Sequence, residues 1–169
     1  MEQDLLYDNL FRGLHANKVR YLVAGGVAMV LHGHVRFTFD LDVIVNLVPN
    51  NVLKFLKTMK QIGYVPRLPV PAEDFAVSSV RESWIRNKHM RVFTFYDPAS
   101  PWTGPVDVFV REPLPFGDMY RRREPVHVRD ITVSIVSKED LLLLKKKANR
   151  DKDQEDIKEL KKMINSRKK

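Results

Sequence analysis

The stretch from Tyr21 to Asn46 constrains this chain more than any other. Tyr21 to Ala24 is a short apolar run that stops at Gly25-Gly26, and it reads as a buried strand. Val27 to Leu31 reads as a short apolar helix broken near Gly33, and Asp40-Leu41-Asp42 opens a second apolar run, Val43-Ile44-Val45, a further strand. Side chains alternate along a strand, so Asp40 and Asp42 project from the same side. Adjacent carboxylates repel one another and are costly to desolvate, so the pair requires a counter-charge. A divalent cation supplies one, and hard carboxylate oxygens suit magnesium better than softer metals. The glycine pair ahead of a helix also leaves backbone N–H groups where a phosphate can sit. A phosphate cradle beside metal-binding carboxylates implies phosphoryl or nucleotidyl transfer.

Gly25-Gly26, thirteen further residues and then Asp40-Leu41-Asp42-Val43 resembles the signature of the DNA polymerase beta-type nucleotidyltransferase superfamily. The longer pattern, Gly25-Gly26-x-Ala28, His32-Gly33 and Arg36-x-Thr38-x-Asp40-x-Asp42, is similar to the AbiEii-type branch, which includes toxin nucleotidyltransferases. Glu139-Asp140-Leu141, Leu144-Lys145, Ala148, Arg150 and Asp153-x-x-Asp156-Ile157 resemble the C-terminal motif of that branch. There a helical lysine and a later aspartate belong to the active site. Lys145 matches the lysine and Asp153 the aspartate, with Asp156 as the alternative. The superfamily draws a third carboxylate from a neighbouring strand. Asp107 within Val106-Asp107-Val108-Phe109-Val110 fits that description better than Asp97 or Asp118, which stand in turn-like sequence.

The resemblance implies an α/β (α+β) polymerase beta-type nucleotidyltransferase fold, with a small mixed central sheet flanked by helices and with C-terminal helices. It implies two magnesium ions at Asp40, Asp42 and Asp107, and a nucleoside triphosphate held at Gly25 and Gly26. Lys145 and Arg36 would add charge there, with Asp153 orienting Lys145 or a metal-bound water. The implied activity moves a nucleoside monophosphate onto a hydroxyl acceptor. Related enzymes modify tRNA ends, proteins or small molecules, and fold alone does not choose among them. RNA is the favoured acceptor, and a toxin with an antitoxin partner is the leading role. The alternatives are adenylylation of a protein partner and a catalytically silent nucleotide- or nucleic-acid-binding module.

Composition bears on partners and compartment. The net charge is +8 and the pI about 9.7, which fits an anionic partner or a merely solvated basic surface. There is no cysteine, hence no thiolate metal site, and the expectation is a reducing cytoplasm. Met1-Glu2-Gln3-Asp4 is unlike a basic signal-peptide start, and the apolar run from Tyr21 to Leu31 is too short to span a bilayer. Residues 1–136 are expected to form the core, and 137–169 a helical extension packed on the same domain, ending in a basic tail.

Elsewhere the pattern predicts packing elements. Asp4 caps an amphipathic helix carrying Leu5, Leu6, Leu10, Phe11 and Leu14. Val52, Leu53, Phe55, Leu56, Met59 and Ile62 recur at helical spacing, with Lys54, Lys57 and Lys60 opposite. Pro66 to Ala76 reads as a loop and Met90 to Tyr96 as a strand. Arg81, Arg86, Lys88 and Arg91 around Trp84 read either as a nucleic-acid contact or as a solvated loop anchored by one tryptophan. Arg121-Arg122-Arg123 is a compact basic cluster. Val126 to Val136 reads as a hairpin turning at Arg129-Asp130, and Ser137 opens a helix with a capping-box pattern. His32 and His34 lack the companions a zinc site needs, so His32 reads as a packed or helix-end residue.

Overall fold

A computed structural model describes residues 6–168. Seven strands form one mixed sheet: β1 (Tyr21–Ala24), β2 (Leu41–Val45), β3 (Val65–Pro66), β4 (Val92–Tyr96), β5 (Val106–Phe109), β6 (Glu124–Val128) and β7 (Ile131–Ile135). Their order across the sheet is β3-β4-β5-β2-β1-β7-β6. The pairs β2–β5 and β1–β7 are parallel, while β1–β2, β3–β4, β4–β5 and β6–β7 are antiparallel. The helices are α1 (Asp8–Ala16), α2 (Gly25–Leu31), α3 (Pro49–Gln61), α4 (Ser78–Lys88), α5 (Phe116–Arg121), α6 (Lys138–Ala148) and α7 (Gln154–Ser166).

The two faces of the central strands have opposite chemistry. Leu41 and Val43 on β2, Phe93 and Phe95 on β4, and Val106 and Val108 on β5 are all buried. The residues between them, Asp42, Thr94 and Asp107, alternate onto the other face. The apolar face is filled by an aromatic cluster. Phe55 of α3 meets Phe95 edge-on at 5.8 Å, Phe75 lies 5.7 Å from Phe93, and Trp84 of α4 stacks on Phe93 at 4.9 Å. Offset and edge-on contacts of this kind add to the burial of large apolar surfaces.

Several elements differ from the sequence reading. The first helix begins at Asp8; Leu6 precedes it in an exposed turn, and Asp4 and Leu5 lie outside the described residues. The Trp84 segment is a helix rather than a loop, and its tryptophan is core. Arg81 is buried too, donating to the Phe75 carbonyl at 2.6 Å while lying over the Phe75 ring. Neither residue is presented to a nucleic acid. Within Pro66 to Ala76, residues Ala72–Ala76 form a 3-10 turn that delivers Phe75 to the cluster. Each of the three arginines at 121–123 has a partner nearby. Arg121 pairs with Asp118, Arg122 with the buried Asp140 at 2.8 Å, and Arg123 with the Tyr120 carbonyl and ring. His32 is packed, its Nε2 sitting 2.8 Å from the Val136 carbonyl. No helix among the described residues is long and apolar enough to cross a membrane.

If Trp84 is core rather than a stacking platform, Trp84→Ala lowers stability by about 3–5 kcal/mol in urea titrations. An exposed base-stacking tryptophan would leave the midpoint nearly unchanged.

Candidate active site

Strand register assembles the acidic centre. Asp42 pairs directly with Asp107 across the parallel β2–β5 ladder, with Ala24 beyond Asp42 and Thr94 beyond Asp107. Asp40 lies just before β2 and alternates onto the face of Asp42. Carboxylate oxygens of Asp40, Asp42 and Asp107 come within 4.8 Å of one another. Thr94 Oγ1 donates to Asp107 Oδ1 at 2.6 Å, which fixes that carboxylate and leaves its second oxygen for other contacts. Burial, then the charges of Asp40 and Asp107, push the Asp42 carboxyl up to about 6, against the opposing pull of Arg150 and Lys145. An anionic cluster under this tension, built only of hard oxygen donors, fits a hard divalent cation.

Gly25 and Gly26 owe their identity to close approach. A Cβ on Gly25 would lie 1.9 Å from Asp42 Oδ2, and its backbone is left-handed at φ +63. A Cβ on Gly26 would lie 2.4 Å from Thr38 Oγ1, with the Arg36 guanidinium just beyond. The link between α2 and β2 alternates with unusual polarity. Arg36, Thr38 and Asp40 line the cavity, while Val35 and Phe37 are 95% and 87% exposed. Tyr7 Oη anchors this link by donating to the Phe39 carbonyl at 2.8 Å. Burial, helped by the nearby acidic residues, raises the Tyr7 hydroxyl pKa, so it stays a donor.

The C-terminal helices close the site from the other side. Ser137 Oγ caps α6 by accepting from the Asp140 amide, and Leu141 and Lys145 share the face turned inward. Asn149, left-handed at φ 48, ends α6 and turns the chain back through the 3-10 turn Asp151–Asp153 into α7. That reversal puts two buried aspartates on one ammonium. Lys145 Nζ lies 3.2 Å from Asp153 Oδ1 and 2.8 Å from Asp156 Oδ2. Asp156 also pairs with Arg36, and Asp153 takes Arg150 Nε at 2.7 Å. Burial alone would raise the Asp153 carboxyl, but the bonds from Arg150 and Lys145 hold it below the usual carboxylate range.

The glycine pair, the three acidic residues, Arg36, Lys145 and Asp153 therefore line one cavity of about 550 Å³. Asp153 and Asp156 both reach Lys145, so the two alternatives for the motif aspartate share the contact. Arg36 is a counter-charge to Asp156 rather than to the acidic pair. Sequence reasoning missed Thr94, whose only signal was its place between two strand phenylalanines. It also gave Arg150 no role. Apolar residues Ile85, Met90, Val92 and Phe109 form another wall of the cavity.

This sheet, with paired aspartates opening one strand and a third on its parallel neighbour, has the fold of a nucleotidyltransferase. The chain belongs to the family described as nucleotidyltransferase of unknown function (DUF6036), which matches residues 8–166. Its fold is similar to the crystal structure of a lincosamide antibiotic adenylyltransferase, LnuA, in lincomycin-bound form. The TM-score is 0.59 at 19% identity, over 96% of this chain and 98% of that one. No curated protein matches the chain by sequence.

Since the raised Asp42 carboxyl binds its proton more tightly folded than unfolded, the metal-free protein loses stability as pH rises from about 4 through about 6. Asp42→Asn removes a penalty of order 2–3 kcal/mol at neutral pH. In calorimetry without divalent ions, the variant should melt above the parent at pH 8, and the gap should close near pH 4.

Proposed function

We propose that this protein transfers a nucleoside monophosphate from a nucleoside triphosphate to a hydroxyl acceptor. The observation that carries the reading is the convergence of Asp40, Asp42 and Asp107 with a glycine pair and the cations Arg36, Lys145 and Arg150 in one cavity. Asp40, Asp42 and Asp107 would hold magnesium, two ions on the superfamily pattern. When bound, the metal supplies charge neutralisation at the phosphates and acidifies the acceptor hydroxyl. Gly25 and Gly26 keep the wall beside Asp42 free of side chains, so a phosphate can approach the backbone. Thr94 holds Asp107 in a fixed rotamer, and the apolar wall excludes water. The acceptor oxygen bonds to the α-phosphorus as the bond to the β-phosphate breaks. Pyrophosphate leaves, and the hydroxyl proton passes to a carboxylate.

For the acceptor, the net charge of +8 favours RNA. The AbiEii-type resemblance extends that reading to a toxin restrained by an antitoxin. A second reading is a small hydroxylated molecule, supported by the apolar wall of Ile85, Met90, Val92 and Phe109 and by the engagement of Trp84 and Arg121 to Arg123 within the fold.

Incubation with magnesium, each labelled nucleoside triphosphate, and either total RNA, cell protein or a lincosamide separates these acceptors. The expected result is label in the RNA or small-molecule arm, abolished by a chelator and reduced on the order of a thousandfold in Asp42→Asn. Label that persists undiminished in Asp42→Asn would refute the assigned site. For the toxin reading, induced expression should arrest growth and Asp40→Ala should relieve the arrest; growth unaffected by the parent protein would count against it.

A further inference from the structure

Among the described residues seven cations line the cavity, and three of them, Arg36, Lys145 and Arg150, belong to the ion-pair network of Asp153 and Asp156 but differ in how far they are committed to it. The Lys145 side chain is only 4% exposed, and its ammonium is bonded to Asp153 and Asp156 at once. Drawing it toward a ligand would break two buried ion pairs at once and leave Asp153 to Arg150 and Asp156 to Arg36, which is unfavourable. Arg36 is held by Asp156, and its Nε lies 3.3 Å from the Phe37 carbonyl. Arg150 is different. Its side chain is half exposed and uses Nε and Nη2 to grip Asp153, at 2.7 and 3.2 Å. A guanidinium has five N–H donors, and among the described residues Arg150 donates only through Nε and Nη2, leaving Nη1 uncommitted.

Position favours the same residue. Arg150 follows the left-handed Asn149 in extended conformation, so it leaves the end of α6 at the cavity wall. Arg150 lines the same cavity as Asp40 and Asp42. A planar guanidinium can give two parallel bonds to phosphate oxygens, whereas an ammonium is a point charge.

We propose that Arg150, not Lys145, makes the side-chain contact to the triphosphate, and that Lys145 is the buried tie which, through Asp153, holds Arg150 in place. This rests on the nucleotidyl-transfer reading and reverses the division of labour that the resemblance assigns. Lys145 is then a positioning residue and Arg150 a binding residue.

Calorimetric titration with inorganic tripolyphosphate in magnesium tests it without needing the acceptor or the base. Arg150→Ala should weaken binding about tenfold or more, while the melting temperature falls much less than in Lys145→Met because Asp153 keeps its bond to Lys145. Arg150→Lys should recover only part of the loss, and Arg150→Gln should behave like the alanine variant. Lys145→Met should lower the melting temperature sharply, as expected for a buried tie. Binding by Arg150→Ala or Arg150→Gln within threefold of the parent overturns the proposal. So does a parent protein that does not bind tripolyphosphate at all. Label transfer by the parent in the acceptor assay is independent of these titrations, so failure here and failure of the enzymatic reading are told apart.

Discussion

Three carboxylates crowd one row of the sheet, and the rest of the structure is arranged around their mutual repulsion. The parallel register of β2 and β5 forces Asp42 and Asp107 side by side, and Asp40 follows by alternation. Nothing local relieves the charge at Asp42, whose carboxyl is pushed up to about 6. A folded domain keeps such an arrangement only where the surroundings hold it rigidly. Here the opposite face of the same strands carries Phe93, Phe95, Val106 and Val108, all fully buried against the aromatic cluster. The apolar face supplies the packing free energy that lets the polar face remain strained.

Compensation comes from sequence far away. Lys145, Arg150 and Arg36 bring positive charge to the cavity, but each is itself tied to Asp153 or Asp156. This chain of alternating charges links the α2–β2 segment to α6 and α7, so the C-terminal helices are part of the site wall. Buried ion pairs add little net stability, since desolvation offsets their attraction. Their effect is geometric: Asp153 is shared by Lys145 and Arg150 and Asp156 by Lys145 and Arg36, so the cations are fixed relative to one another.

The central motif was legible because its constraints are local. A strand ending at two glycines and a strand opened by two aspartates follow from period-two alternation and from the steric needs of Gly25 and Gly26. Ser137 as a cap and the hairpin turning at Arg129-Asp130 are equally local. The basic segment around Trp84 left two readings open for the opposite reason. Arginine and tryptophan in a polar stretch look available until the tertiary fold places Phe93 under the indole and the Phe75 carbonyl against Arg81.

By itself, then, the sequence determined the strand–glycine–helix–strand order, the shared face of Asp40 and Asp42, and the candidacy of Asp107. Each depends on residues within a few positions of one another. Only the tertiary structure decided that Asp107 stands beside Asp42 with Thr94 behind it. It alone decided that Lys145 is spent on Asp153 and Asp156, and that Arg150 faces the acidic row with part of its guanidinium uncommitted. The reason is physical: the pairing of strands and the return of α7 onto α6 set distances between charges that no spacing along the chain encodes.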